Sequence, residues 1–328
     1  MEERGLILLY HRVAEVPTDP QLLCVSPAHF VEHLEVIRHT AAVVPLREMD
    51  DGRSAATDAG RLAITFDDGY ADNLHQAKPI LERFDAPATV FAVSGAVGSD
   101  REFWWDELDR LLLQRDAMPP GLRLKIGEEV VEWDLAAVAA GDDGNREQDR
   151  RWSVLERNGN PRQELYRSLC TMLRPLPSVS REKALDELAG WTGRVRTARP
   201  THRALSAGEL ADLTAGGLIE VGAHTVTHPV LAALSTAQQQ AELSECKAAL
   251  EGLLARSVNS FSYPYGTRKD YTPATVRAVQ QAGFTRACSN FAGVVGARTD
   301  PFQLPRMLVR DWGGEEFARR LREAWGRG

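Results

Sequence analysis

The stretch LAITFDDGY, Leu62 to Tyr70, decides how this chain is to be read. Leu62, Ala63, Ile64 and Phe66 make an almost unbroken apolar run, which predicts a strand buried on both faces. Such strands belong to parallel sheets covered by helices. Asp67, Asp68 and Gly69 follow at once. Neighbouring side chains on a regular strand point to opposite faces, so the two carboxylates converge only where the strand ends and turns. Gly69 supplies the freedom for that turn. Adjacent carboxylates repel, and a bound cation is the simplest way to keep both ionised. Taken alone, Asp-Asp-Gly after a strand is more often an ordinary turn or helix cap, so the motif needs support from elsewhere.

The same apolar signature recurs on both sides. LILLYHRV (6–13), VVPL (43–46), ATVFAVSG (88–95), IEVGAH (219–224), SFSYPYG (260–266), TRACSN (285–290) and QLPRMLV (303–309) read as further strands. Helical spacing fills the intervals in HFVEHLEVIRH (29–39), ADNLHQAKPILERF (71–84), Ser235–Leu254 and TPATVRAVQQAG (272–283). Ser235 or Thr236 is the expected cap of the third. This alternation predicts an α/β domain, either a barrel or a doubly wound sheet. From about Phe103 to Leu205 the pattern changes to mostly helical, with a possible hairpin in LKIGEEVVEW (124–133) and a polar stretch, GDDGNREQDR (141–150), expected to be a mobile loop. Trp104, Trp105, Trp133, Trp152 and Trp191 lie here, and tryptophans at that density require a packed interior. The chain is therefore expected to be one domain, 1–328, with a mostly helical insertion over 103–205 that caps the site from a βα loop.

Composition narrows the function. With 39 basic against 46 acidic residues the net charge is −7, which argues against general nucleic-acid or anionic-membrane binding. Apolar runs such as Leu6–Tyr10 are too short to span a bilayer, so no membrane insertion is expected. Acidic Glu2 and Glu3 stand where a secretory leader carries basic residues, so a soluble, cytoplasmic protein is expected. Cys24, Cys170, Cys246 and Cys288 are scattered with no CxxC pair, which predicts reduced thiols and no cysteine-based zinc site.

Two more clusters follow strands. GAHTVTHP places His224 and His228 at i, i+4, the spacing with which one side of a helical turn chelates a metal, although Pro229 limits any helix beyond it. An isolated HxxxH is more often a hydrogen-bonded surface pair, but with Asp68 it completes a two-histidine, one-carboxylate set at strand ends, where α/β folds place their active sites. In FSYPYG (261–266), Pro264 and Gly266 flank Tyr265, whose backbone N–H is a candidate ligand donor.

Taken in this order, TFDDG, HTVTH and YPYG resemble the motifs of the NodB-like polysaccharide deacetylases, carbohydrate esterase family 4. LLYHRV followed by SPAHFVEHLEVIR is similar to the opening of the branch that deacetylates bacterial exopolysaccharides. The resemblance spans roughly Leu6–Arg101 and Leu205–Val309. It implies a distorted, seven-stranded (β/α) barrel. Asp68, His224 and His228 would hold a divalent metal, zinc in most members, with Asp67 as general base and the Tyr265 N–H on the oxyanion. Two positions depart from the pattern. Ser262 stands where the family carries an arginine that orients the base, and no late Leu-x-Leu-His element follows Phe284. Arg306, in LPRML, is the candidate for the missing arginine, expected at the barrel mouth within reach of Asp67. His11, ending the first strand, is the candidate general acid, as in the branch where the opening YH histidine stands in for the late one.

The implied activity is metal-dependent removal of an N-acetyl group from an amino sugar or sugar-bearing metabolite, leaving a free amine and acetate. N-formyl removal is the close alternative, and the native metal and oligomeric state stay open. A catalytically weak carbohydrate-binding protein is favoured by Ser262 and opposed by Asp67. A non-haem iron oxygenase uses the same ligand types but has no need of Asp67. GAVG (95–98) lacks a full phosphate-loop fingerprint and is expected to be a βα turn, and His29, His33 and His39 are expected to be solvated on one helix.

Overall fold

The computed structural model describes residues 5–49, 60–114, 118–136 and 143–326. The chain forms two compact units, one of Met1–Glu15, Leu23–Ser99 and Ala204–Gly328, the other of Val16–Leu22 and Asp100–Arg203. The first unit opens with β1 (Gly5–Tyr10), β2 (Arg12–Val13), β3 (Cys24–Val25), α1 (Pro27–Thr40), β4 (Ala42–Val43), β5 (Arg61–Phe66), α2 (Lys78–Arg83) and β6 (Ala88–Ala92). The second contains α3 (Trp104–Leu108), β7 (Gly121–Ile126), β8 (Glu129–Asp134), α4 (Asp143–Arg151), α5 (Pro161–Leu173) and α6 (Ser178–Thr192). The first then resumes with α7 (Ala207–Thr214), β9 (Ile219–Ala223), α8 (Thr236–Leu254), β10 (Ser260–Ser262), α9 (Pro273–Gln281), β11 (Arg286–Cys288), β12 (Met307–Leu308) and α10 (Gly314–Gly326).

Seven strands run in the order β11-β10-β9-β6-β5-β1-β12, with β4 added beside β5. Every pairing along this path is parallel. Residues 304–308 close the ring: Leu304 bridges Cys288 of β11, while Met307 and Leu308 pair with Leu8 and Leu9 of β1. The result is a distorted seven-stranded (β/α) barrel, the one of the two folds allowed by the alternation that the family resemblance implies.

The near-continuous apolar strands are explained by burial on both faces. Leu6, Leu8, Tyr10, Leu62, Ile64 and Phe66 pack outward with Phe30, Leu34 and Ile37 of α1. Ile7, Ala63, Phe91, Cys288 and Leu304 fill the inside of the ring, with Leu46 and Met49. Gly222 makes room for Phe91, since a Cβ there would lie 2.4 Å from a ring carbon. Ser235 caps α8 by accepting from the Gln238 N–H, with the reciprocal bond from the Ser235 N–H to Gln238 completing a capping box.

His33 corrects an expectation. It is fully buried, not solvated: Nε2 lies 2.6 Å from the Trp312 carbonyl, Nδ1 lies 3.2 Å from the Tyr10 hydroxyl, and the ring stacks on Phe317 at 4.0 Å. It faces inward because α1 must pack against both β1 and α10, and the polar tip finds a partner at each end.

Within the second unit, β7 and β8 form an antiparallel hairpin, turned by Gly127 at φ 63°. Trp104, Trp105 and Trp152 are buried among its helices. The polar stretch expected to be a loop is helical over Asp143–Arg151, while Gly141 and Asp142 lie outside the described residues. Asp149 explains the ordering, for it is buried and accepts from Asn160 Nδ2 and Gln163 Nε2, each at 2.8 Å. Among the described residues, no helix is long and apolar enough to cross a membrane.

Candidate active site

The site gathers where β1, β5, β9 and β10 end. Asp67 leaves β5 with its N–H donated to the Tyr10 carbonyl at 2.9 Å, which continues the β1–β5 ladder by one bond. The chain then turns through two left-handed residues, Asp68 at φ 73° and Gly69 at φ 80°. A Cβ on Gly69 would stand 3.2 Å from the Cα and Cβ of Ala92, so both conformation and space require glycine. This turn sends the adjacent carboxylates to different partners. Asp67 enters the ring, whereas Asp68 meets the histidines.

Asp67 is gripped from below. Arg306 donates Nη1 to Oδ1 at 2.8 Å and Nη2 to Oδ2 at 2.7 Å, a fork on the whole carboxylate. Ser262 Oγ donates to Oδ2 at 3.1 Å and itself accepts from Arg306 Nη2 at 2.8 Å. Arg306 also donates to the Ser289 carbonyl at 2.8 Å and to Thr65 Oγ1 at 3.2 Å. Burial pushes the Asp67 carboxyl up, but Arg306 and His224 outweigh it and hold the group down at about 2. Arg306 lies one residue before β12 and is fully buried inside the ring, not at the mouth as the sequence suggested. Its fork orients the carboxylate, the role that the resemblance gives to an arginine where this chain carries Ser262. The repulsion between Asp67 and Asp68 is thus relieved for Asp67 by a guanidinium.

His224 follows β9 with its N–H on the Ala92 carbonyl at 3.0 Å. Its Nδ1 lies 2.7 Å from the Ser262 carbonyl, which can only accept, so Nδ1 carries the proton and Nε2 presents its lone pair. Burial lowers the pKa of His224, with Asp67 opposing. Nε2 of His224 stands 3.6 Å from Asp68 Oδ1, and Nε2 of His228 stands 3.4 Å from the same oxygen. Asp68, His224 and His228 are all buried and form the one potential metal-holding group among the described residues. An ion with tetrahedral bonds of roughly 2.0–2.1 Å separates its ligand atoms by about 3.4 Å, so the donor set fits a divalent cation.

The expected helical turn between the histidines is absent. His224–His228 is a loop with Thr225 at φ 67° and His228 at φ 54°. The Glu242 carboxylate of α8 accepts from the N–H groups of Val226 and Thr227 at 2.8 and 2.9 Å and from Thr227 Oγ1 at 2.6 Å. On the other side, the Ser94 and Gly95 N–H groups donate to the Thr225 and Val226 carbonyls at 3.1 and 3.0 Å. A Cβ on Gly95 would meet the Val226 oxygen at 2.5 Å, which gives the first glycine of GAVG its reason. Tyr265 adopts φ 61° after Pro264, and its ring stands edge-on to His228 at 4.7 Å.

His11 leaves β1 with its carbonyl accepting from Asn73 Nδ2 at 2.9 Å. The next residues are clamped to the same segment: Arg12 Nε reaches Asp72 at 2.9 Å and its guanidinium lies over Tyr70 at 4.5 Å, while the Val13 N–H reaches Asp72 Oδ1 at 3.1 Å. Burial lowers His11 to about 4, opposed by Asp67 and assisted by Arg306, Arg310 and His224. The imidazole is therefore neutral at neutral pH and shares its surroundings with Asp67. Sequence reasoning missed Glu242, Asp72 and Asn73, which look like ordinary polar positions on helices.

The polysaccharide deacetylase family model matches residues 54–115 and 192–287, two segments that include Asp67, Asp68, His224, His228 and Tyr265. The chain belongs to the polysaccharide deacetylase family. Among solved structures, the Streptococcus pyogenes deacetylase PplD in complex with acetate is 15% identical at a TM-score of 0.59, covering 97% of this chain and 98% of that one. IcaB from Ammonifex degensii is 17% identical at 0.59, covering 98% and 97%. A de-N-acetylase from Aggregatibacter actinomycetemcomitans is 14% identical at 0.57, covering 97% and 99%. At these identities the likeness is one of fold. No curated protein matches the chain at a significant level.

Proposed function

We propose that this family member is a metal-dependent hydrolase that removes an N-acetyl group from an amino sugar, releasing acetate and a free amine. The observation that carries the proposal is the buried Asp68–His224–His228 donor set beside a carboxylate, Asp67, that Arg306 keeps ionised. A divalent ion held by that set, zinc by the chemistry of its donors, would polarise the amide carbonyl and acidify water.

The chain's own residues account for the proton traffic. Asp67 is an anion across the working pH range and takes the proton that attacking water must lose. With its low pKa it releases that proton readily, and neutral His11 is the neighbouring group able to receive it. His11 then gives the proton to the departing nitrogen, so the amine leaves neutral and His11 returns to its resting form. The backbone N–H of Tyr265, a residue at φ 61° whose ring stands beside His228, is assigned as the donor to the developing oxyanion. Arg306 and Ser262 keep the Asp67 carboxylate aimed throughout.

Acetate release from N-acetylglucosamine oligomers and from N-acetylated sugar metabolites tests the proposal. Activity should vanish with a chelator and return with a divalent ion. Asp67→Asn should abolish turnover while keeping metal, whereas Asp68→Asn should lose both. Parent activity that survives metal removal would overturn the metal-dependent reading, and an Asp67→Asn protein as active as the parent would overturn the base.

A further inference from the structure

We propose that Glu242 is a positioning residue whose carboxylate holds the histidine-bearing loop and thereby sets how tightly the site keeps its divalent ion. This rests on the metal-dependent reading above. Within the loop the His228 N–H donates to Thr225 Oγ1 at 3.0 Å, and the remaining bonds described above reach outside it. Thr225 and His228 both sit in the left-handed region, at φ 67° and 54°, and such non-glycine positions persist only where the surroundings over-determine them. One edge is fixed by the β6 end through Ser94 and Gly95, and the other by Glu242 alone among the bonds described above. Two consecutive N–H groups converge on one carboxylate oxygen and the Thr227 hydroxyl on the other, all charge-assisted. The residue they fix is the neighbour of His228.

The carboxylate can serve as an anchor because its helix is anchored. Leu243, Cys246 and Leu250 of α8 are fully buried, so the backbone at 242 has a set place. Nor is Glu242 part of a helical ion pair, since positions 238 and 246 are glutamine and cysteine and the nearby Lys247 pairs with Glu251 at 3.0 Å. Removing a group that orients a metal ligand from outside commonly costs roughly 10–100-fold in metal affinity, and Glu242 acts through the backbone next to His228.

The test is titration of metal-free protein with Zn²⁺ alone against a competing chromophoric chelator, well below the melting temperature, together with the rate of Zn²⁺ release. Glu242→Ala should bind roughly 10–100-fold more weakly and release faster. Glu242→Gln, which keeps one acceptor and can donate to Thr227 Oγ1, should fall between. Glu245→Ala, exposed on the same helix, should match the parent. A merely structural role would lower the melting temperature of the metal-free protein and leave the affinity of the folded molecules unchanged. Glu242→Ala within twofold of the parent overturns the proposal. A parent that binds no Zn²⁺ overturns the metal reading itself. If Glu242→Ala fails to fold, Glu242→Gln and Thr227→Val decide, and parental affinity in both overturns the proposal.

Discussion

Replacing Arg306 by methionine isolates what the buried fork contributes. Methionine fills much of the same volume but removes both bonds to Asp67 and those to Ser262, Thr65 and Ser289. Arg306 is 1% exposed and Asp67 4%, so water cannot take over. Removing one partner of a buried pair leaves the other charge uncompensated, at a cost of about 3–5 kcal/mol. For a domain of this size that corresponds to a melting temperature lower by roughly 6–20 °C, measured by near-ultraviolet circular dichroism on metal-free protein. The diagnostic variant is Asp67→Asn with Arg306→Met, which buries no charge. It should melt above Arg306→Met despite carrying one more substitution. A double variant that melts at or below Arg306→Met, with the single losses simply adding, would show that the pair is not a coupled buried ion pair. Arg306→Lys keeps the charge but not the fork and should lower kcat by about 10²-fold with little change in KM, as expected for a displaced reacting group.

His11→Ala should retain fold and metal but slow amide hydrolysis by roughly 10²–10⁴-fold, and lose less with an activated acetyl ester whose leaving group needs no proton; equal losses on both substrates would remove His11 from the proton path. His33, held neutral with a folded pKa of about 4, should make the α1–α10 packing weaken on acidification. The unfolded histidine binds protons below its ordinary 6.5 while the folded one does not, so the stability is present above that pH and is lost as pH falls towards the folded value. Linkage gives about 2 kcal/mol between pH 7 and 5, read as faster amide exchange in α10. His33→Gln should flatten that dependence, and parallel profiles for parent and variant would refute it.

The parallel α/β architecture was legible because its strands are apolar on both faces and its helices on one, while the choice of a barrel over a doubly wound sheet came from the family motifs. Asp68, His224 and His228 were legible as a set because two residue types with metal-ligand chemistry follow two apolar runs. What spacing could not show is how HTVTH is shaped. The separation of its histidines matches a helix, yet the loop is dictated by Gly95 on one side and Glu242 on the other. Glu242 sits in AQQQAELSEC, where nothing distinguishes it from a solvated glutamate. Arg306 was assigned its partner but placed too high, because a two-residue strand carries too little periodicity to fix its level in the ring. His33 was read as solvated because the packing that buries it comes from α10, far along the chain.

The segment that shuts the ring has a temporal consequence. Residues 304–308 act as a latch between β11 and β1, and Arg306, in the middle of the latch, is also the cation under Asp67. The Leu8–Met307 pairing joins positions near opposite ends of the chain, the kind of contact whose loop-closure entropy delays it in folding. Until that contact forms, Asp67 lacks the guanidinium that does most to offset its burial, and its carboxyl is held down less firmly. The full arrangement around Asp67 is therefore tied to a contact of long sequence separation. On the proposed metal-dependent reading, a partly folded barrel with its Asp68–His224–His228 corner in place would bind the ion before Asp67 was set to act as base.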